Sequence, residues 1–532
     1  MRYPNEECLK NKNLKLRPDR RQLEADVVII GGGITGAAIA RELSKYKVNT
    51  ILVEKGGELC AGSTKATLGN IYRGLYMLGS LILKSVLLPP GTPLSALYDP
   101  NGLKMKWCEE GFKEWPQVLN DLDIKHTYLP LHFVAITEDQ VQDLNKMRDL
   151  GRRLGGIYAN FQKVSREQIL EREPHVNKDV VAGLYAEDNI IEIFPPEAAI
   201  ALVENAVQNG LKVMLNAEVT GISKNGEYQI VQTVKGPVKA RFVVNAAGGY
   251  ADKVARMVED IDWGLQYRKT QFMILDRRTK GLVNGIVRFP NKPGLIQVVM
   301  RREDNILIEC GPYELTDNCE DTETHSQLVA DALAMAKNLV PSISQNDIIN
   351  TFTGVRVFNT RDIEEHIIEF AKVNPRFLNV VIRLPGFIGA LPMARHVVEM
   401  LSEAGLKLTV RPDFNPHRKA IPKFRDLSDE ERRELISKNP LFGHVVCRCE
   451  TVTEGEIIEA INRGAITEEG IKMRTRAGMG RCKRGFCGPR VIHILARELN
   501  ISPLQVTKRG VDSPFLLFRS KELLQKSVGK VI

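Results

Sequence analysis

The chain has 532 residues, with 74 Lys and Arg against 65 Asp and Glu, a formal charge of +9. That length holds a large domain plus one or two smaller ones, and the modest charge is spread along the chain, which argues for a basic soluble surface and against a nucleic-acid interface. No stretch is apolar for long enough to cross a bilayer, and the polar N-terminus lacks a signal-peptide core. A cytoplasmic protein is expected, with a peripheral place on the inner face of the cell membrane left open.

Residues 1–25 are polar and carry Lys10, Lys12, Lys15, Arg17, Arg20 and Arg21, which reads as an N-terminal extension. Val27 to Ile30 then form an apolar run expected as a buried parallel strand. Gly31, Gly33 and Gly36 follow in G-x-G-x-x-G spacing, and Ala37 to Leu43 opens a helix. Gly31 permits the tight turn, Gly33 lets a pyrophosphate approach, and Gly36 lets helix and strand pack closely. The helix N-terminus presents unpaired N–H groups to the phosphates. A second strand, Asn49 to Val53, ends in Glu54, about 20 residues after the glycines, where a ribose hydroxyl is usually held. Strand, glycines, helix, strand and acid in this order predict a dinucleotide site. The small, hydroxylated segment 60–74 is expected to run along the cofactor, with Ser63, Thr64 and Lys65 near its phosphates.

The apolar run 75–98 is too short to span a membrane and is expected as a buried helix. Residues 103–122 read as a helix with a core stripe of Trp107, Phe112, Trp115 and Leu119. Residues 124–137 read as a strand and 138–155 as an amphipathic helix; 165–173 read as a short helix stopped by Pro174. Residues 183–186 and 190–193 read as strand pieces, and 197–209 as a helix behind Pro195 and Pro196. The strand ending at Phe242-Val-Val-Asn-Ala-Ala-Gly248 runs into small residues, which suits close approach of backbone to a ligand. Residues 265–315 are strand-rich and predict an antiparallel sheet flooring a substrate domain. A helix over 326–339, a strand over 377–382, a turn at 385–389 and a helix to Leu401 complete the domain. Residues 411–440, rich in Pro, Arg and Lys, read as a linker with one short helix.

Of nine cysteines, Cys8, Cys60, Cys108, Cys310 and Cys319 are scattered and read as plain thiols. Cys447, Cys449, Cys482 and Cys487 crowd the C-terminal part. Such clustering without a secretory context points to a metal centre rather than disulfides. Four thiolates suit a [2Fe–2S] cluster or structural zinc, and C-x-C is an uncommon zinc pair. The glycines of Thr475-Arg-Ala-Gly-Met-Gly-Arg481 expose N–H groups that can point at sulfur, and Arg448, Arg476, Arg481 and Arg484 offset thiolate charge.

On these residues the N-terminal part resembles the D-amino-acid-oxidase-like (DAO) family of flavoproteins. Val446-Cys-Arg-Cys-Glu-Thr-Val-Thr-Glu-Gly-Glu456, through Thr475 to Cys482 and Phe486-Cys-Gly-Pro489, resembles the bacterioferritin-associated-ferredoxin-like (BFD-like) [2Fe–2S] domain. The combination resembles the family of large subunits of anaerobic glycerol-3-phosphate dehydrogenase. The resemblance implies an α/β fold: a Rossmann-like FAD domain with an antiparallel-sheet substrate domain, plus a small helical iron–sulfur domain. The expected divisions are 26–410 for the flavoprotein part, 411–440 linker, 441–500 iron–sulfur domain and 501–532 tail. FAD rather than NAD is implied, held by Gly31, Gly33, Ile34, Thr35, Gly36, Glu54, Lys55, Ser63, Thr64, Lys65, Val219, Ala247, Gly248, Gly386, Phe387 and Gly389. The helix after Gly389 is expected to face the isoalloxazine and favour its anionic reduced form.

The same resemblance nominates Arg356, then Arg361, for an anionic substrate group, which arginine grips bidentately. Relatives commonly carry a His in the segment aligned with Asn70–Gly74; here the place is Tyr72, followed by Arg73. Tyr72, or a water polarised by Arg73, is the nominated base for a substrate hydroxyl. The implied activity is oxidation of sn-glycerol 3-phosphate, with electrons leaving through Cys447, Cys449, Cys482 and Cys487 to an electron-acceptor subunit or quinone-linked partner. Alternatives are a dehydrogenase of an amino acid, opine or 2-hydroxy acid, and a non-catalytic electron-transfer subunit.

Overall fold

The structure, a computed structural model, describes residues 23–74, 78, 102–290, 296–301, 304–362, 365–383 and 386–522. Most of the expected N-terminal extension, the apolar 75–98 run except Leu78, Pro385 and residues 523–532 lie outside the described residues.

Strand Leu23–Ile30 sits at the centre of a mainly parallel sheet. Val27 aligns with Thr50 of strand Thr50–Val53 on one side and with Phe242 of strand Gly236–Asn245 on the other. Lys212–Met214 extends one edge; Asn374–Val381 and the antiparallel Ile367–Ala371 extend the other. Alternate side chains serve opposite faces, as strand geometry requires. Val27 and Ile29 pack into a core with helices Ile34–Ser44, Pro195–Gln208 and Ala390–Glu403. Val28 and Ile30 pack into a second core with the hairpin 219–233 and helix Ala251–Ala255. Both faces are covered, so the strand reads as one continuous apolar run.

The second sheet has nine strands and floors the cavity described below. Its order runs 348–359, 265–275, 306–316, 296–300, 286–288, 127–135, 182–192 and 70–72, with 162–165 paired to 182–192. The antiparallel expectation needs one correction: Ile286–Arg288 runs parallel to Thr127–Ala135. These strands come from distant stretches, and only a long connection lets neighbours run parallel. The two expected strand pieces near 183–193 are one strand, Ala182–Glu192; its register against Thr127–Ala135 shifts between Leu129 and Leu131, around Pro130, which has no N–H to donate.

Helix Leu103–Asp121 buries Trp107, Phe112, Trp115 and Leu119 as its stripe predicts. Trp115 Nε1 donates to the Ile388 carbonyl at 3.0 Å, and a Cβ added to Gly111 would meet that same oxygen at 2.0 Å. The helix therefore clamps the loop that leads into Ala390–Glu403.

Three helices, Glu454–Asn462, Glu468–Thr475 and Gly488–Leu499, make the C-terminal body around Ile457, Ile471 and Leu495. Thr453 and Glu456 form a capping box that starts the first of them. The linker contains helix Asp429–Lys438 but is packed rather than loose. Ile421 joins the C-terminal core, and buried Arg418 pairs with Glu204 at 2.6 Å. The seam with the flavoprotein body is ionic. Arg474 meets Glu58 at 2.8 Å, both almost fully buried, and Glu204 also faces Arg463 at 3.4 Å. A Cβ on Gly470 would strike the Glu58 carboxylate at 2.0 Å, so glycine permits this approach.

Candidate active site

A cavity of about 1930 Å³ runs from the glycine turn across the second sheet to the C-terminal body. It exceeds the volume of a single drug-sized pocket and has room for a dinucleotide with a substrate beside it.

At the cofactor end the backbone makes the site. Gly31 has φ +109°, and an added Cβ would meet the Ala246 carbonyl at 2.4 Å. A Cβ on Gly36 would meet the Gly31 carbonyl at 2.0 Å. Gly33 caps helix Ile34–Ser44 and lines the cavity, as do Ile34 and Thr35. Thr64 Oγ1 accepts from the Ile34 N–H at 3.0 Å, so this hydroxyl sits at the helix N-terminus. Glu54 accepts from the Gly32 N–H at 2.7 Å and the Gly56 N–H at 2.8 Å. Burial raises its carboxyl pKa, opposed by these two bonds. Each carboxylate oxygen keeps further acceptor capacity toward the cavity.

Lys55 lies over the Tyr250 ring at 3.5 Å and pairs with Glu320 at 2.9 Å. Ser63 Oγ donates to the Val355 carbonyl at 2.7 Å, and Lys65 pairs with Glu469 of the C-terminal body at 3.3 Å. Val219, Ala247, Gly248, Gly386 and Phe387 line the same cavity. Gly36 and Gly389 stand behind the lining, one in the helix–strand contact and the other at the N-cap of Ala390–Glu403.

At the other end side chains make the site. Arg268, Arg288, Arg301, Arg356 and Arg383 line it against the carboxylates Glu309, Asp362 and Glu365, an excess of positive charge. Arg356 donates to Thr270 Oγ1 at 3.1 Å and pairs with Glu309. Arg301 pairs with Glu192 at 2.6 Å and donates to the Ile193 carbonyl at 2.9 Å. Arg268 and Arg383 stack on Phe358 at 4.5 and 5.0 Å, and Arg288 stacks on Phe133 at 4.8 Å.

Tyr72 lines the cavity from the last position of strand Asn70–Tyr72. Two nominated residues stand off the cavity lining. Arg73 is turned onto the Phe112 ring at 4.8 Å. Arg361 is likewise outside, paired with Glu369 at 2.7 Å and with Asp262. It lies beyond the strand end at Asn359, where the chain has left the sheet. Arg268, Arg288, Arg301 and Arg383 were not anticipated. Their signal was an arginine set in an otherwise apolar stretch, as in Ile-Val-Arg288-Phe and Val-Ile-Arg383-Leu.

The four C-terminal cysteines come together as two pairs. Cys447 is within hydrogen-bond reach of Cys487, and Cys482 of Cys449. Cys447 is drawn below the usual thiol range first by Cys487, then by the Gly478 and Glu450 N–H groups. Cys482 is lowered chiefly by the Phe486 N–H. Among the described residues no three His, Cys, Asp or Glu side chains converge on a single ion. Two thiol pairs suit two irons, each taking one pair.

The profile of FAD-dependent oxidoreductases, DAO, matches residues 26–400. The chain belongs to this family. The BFD-like [2Fe–2S] binding domain matches residues 445–497. A glycerol 3-phosphate dehydrogenase from Caloramator mitchellensis is 35% identical over 94% of this chain and 100% of its own. Anaerobic glycerol-3-phosphate dehydrogenase subunit A1 from Haloferax volcanii is 25% identical over 89% of this chain and 83% of its own. Among solved structures, FAD-bound L-alpha-glycerophosphate oxidase from Mycoplasma pneumoniae superposes with TM-score 0.65 and 27% identity. It covers 75% of this chain and 99% of its own.

The cofactors of this family member are FAD and a [2Fe–2S] cluster, and the residues present fit both. The space a Cβ would fill at Gly31, the helix N-terminus at Gly33 and the ring of cavity residues around them accept a dinucleotide. The paired thiols with N–H groups aimed at sulfur accept the cluster.

Proposed function

We propose that the chain oxidises sn-glycerol 3-phosphate to dihydroxyacetone phosphate and hands the electrons to a separate acceptor protein or quinone-linked partner. The observation that carries this reading is the single cavity, with a dinucleotide turn at one end, an arginine-rich floor at the other and the cysteine domain as a wall. Bound FAD supplies a hydride acceptor, and the cluster supplies an exit for single electrons other than oxygen.

The chain's residues do the rest. Arg356, held in place by Glu309 and Thr270, presents its guanidinium to the substrate phosphate. Stacking on Phe358 limits the motion of Arg268 and Arg383, so little side-chain freedom is lost when an anion binds. Tyr72 stands at the cavity wall, where its phenolate form would receive the hydroxyl proton. Trp115 and Gly111 hold the 386–389 loop, and with it the start of helix Ala390–Glu403, at the ring end of the cofactor site. The clustered thiols, in place of disulfides, agree with a reducing cytoplasm. No helix among the described residues is long and apolar enough to cross a membrane.

The test is an anaerobic titration of flavin-loaded protein with sn-glycerol 3-phosphate, followed by flavin absorbance. Bleaching with L-proline and 2-hydroxyglutarate inert supports the reading. A sample that dithionite bleaches and glycerol 3-phosphate does not would overturn it, and bleaching by either carboxylate would move the assignment to that class.

A further inference from the structure

The cysteine centre has an inner and an outer side. Cys447 and Cys487 are buried, and the Gly478 N–H that points at Cys447 belongs to a residue lining the flavin cavity. Cys449 is half-buried and Cys482 is exposed. Beyond Cys482 the loop shows Phe486, 52% exposed, with Arg448 stacked on it at 4.7 Å. Pro489 and Arg490, a little further along the chain at the start of helix Gly488–Leu499, are exposed as well. The segments 446–449 and 481–490 contain Arg448, Arg481, Lys483, Arg484 and Arg490 and no Asp or Glu. Arg481 and Arg484 are engaged by Asp276 and Glu468. Arg448 and Arg490 have no carboxylate partner among the described residues. The acid nearest in sequence, Glu450, is buried and held by Arg277 at 2.6 Å and Arg476 at 3.1 Å.

An exposed aromatic with an arginine stacked on it is the composition of an interface centre with a charged rim. Its position over the outer thiol pair puts that interface where single electrons must leave. We propose that the face formed by Arg448, Cys482, Phe486 and Arg490 is the docking surface for an acidic one-electron carrier protein. This rests on the cluster assignment and deepens the proposed function by giving the partner its chemistry. Arg448 and Arg490 attract the carrier's carboxylates, and Phe486 supplies the apolar contact. One electron would cross per encounter: the cluster held by the four cysteines would be oxidised as the carrier's centre is reduced, with no atom or proton transferred.

The test uses the full chain loaded with FAD and cluster, reduced by dithionite and freed of excess reductant. It is mixed in a stopped-flow cell with an oxidised [2Fe–2S] ferredoxin of net negative charge. The wild-type rate should fall steeply with added NaCl, and the variant combining Arg448→Glu with Arg490→Glu should be slower by about tenfold or more. Ferredoxin binding, measured by calorimetry, should weaken in parallel, and in Arg490→Glu alone transfer to the neutral quinone menadione should stay at the wild-type rate. Arg490→Glu alone, away from the cysteine ligands, should give the same direction with the cluster signal intact by electron paramagnetic resonance. Rates that ignore both salt and charge reversal overturn the proposal. So does a double variant that loses binding to phosphatidylglycerol vesicles while passing electrons to ferredoxin normally, which would assign the face to lipid. Because reduction is by dithionite, failure of glycerol 3-phosphate turnover would sink the substrate reading and leave this one standing.

Discussion

Strand Leu23–Ile30 and its neighbours in the parallel sheet bury Val27, Val28, Ile29, Leu52 and Phe242 and no ionisable side chain. The nine-stranded sheet, across the same cavity, buries His132, Glu192, Lys269, Arg288 and Glu309 on its strands. The difference shows how each half makes its part of the site. A sheet buried on both faces offers only its strand ends, so the cofactor meets backbone N–H groups, a helix terminus and missing Cβ atoms. A sheet that floors a cavity offers side chains, and an anionic ligand needs cations there. Those cations must be desolvated, so each is held by a buried carboxylate, a carbonyl or an aromatic face.

The comparison breaks first at the glycine turn. Gly36→Val sets a Cβ where the Gly31 carbonyl already lies at 2.0 Å. It should abolish flavin retention and destabilise the parallel sheet by about 3 kcal/mol or more. The flavin-to-protein absorbance ratio and a thermal melt report both; a variant that purifies yellow with an unchanged melt would contradict the backbone account. Next comes the ionic seam. Arg474→Met strands the buried Glu58 carboxylate and should cost about 3–5 kcal/mol. Limited proteolysis should then cut faster within 411–440, and unchanged cleavage would mean the seam does not hold the C-terminal body.

A third prediction concerns a buried carboxyl packed against the nine-stranded sheet, at the end of helix Arg166–Arg172. Glu173, fully buried, accepts from the Asn284 N–H at 2.8 Å and faces His132 Nδ1 at 3.6 Å. Burial raises its carboxyl from 4.5 to about 7 and lowers His132 from 6.5 to about 4. Below pH 4.5 both folded and unfolded chains keep the Glu173 proton. Between 4.5 and 7 the unfolded chain loses it first, so stability falls, and above 7 that loss is complete. His132 acts in the opposite sense, its contribution lost as pH falls from 6.5 to 4. Glu173→Gln should therefore stabilise by roughly 3 kcal/mol at pH 8 and not at pH 4.5, read from urea midpoints. An equal gain at both values would mean ionisation is not the cause.

The smallest effects separate the two nominated arginines. Arg356→Met should weaken substrate binding by about 1.5–3 kcal/mol, seen as a higher concentration for half-bleaching. Arg361→Met breaks only a partly exposed pair and should change it by under about 1 kcal/mol. Equal losses in the two variants would put the anion site elsewhere.

Most of the parallel sheet was legible because its signals are local. The run Val27–Ile30, the spacing of Gly31, Gly33 and Gly36, and the acid at Glu54 lie within one βαβ unit, and backbone geometry alone gives them meaning. The four cysteines were legible for a related reason: few residue types bind iron, and their clustering is rare. The arginines were not. Arg268 and Arg356 are set side by side by pairing of strands 265–275 and 348–359, Arg288 comes from strand 286–288 further across the same sheet, and nothing near each in sequence says which face it will take. Arg361 shows the converse, since five residues beyond Arg356 the strand has ended and its side chain serves a surface pair.

By itself the sequence determined the dinucleotide turn, the thiol quartet and the order of the elements, because each follows from short-range sterics, apolar periodicity or ligand chemistry. Tertiary structure alone decided that the C-terminal body shares the flavin cavity, that Arg356 faces it while Arg73 and Arg361 do not, and that one thiol pair points inward and the other to solvent. Those outcomes depend on long-range packing, where the desolvation of a few charged groups selects one docking among many.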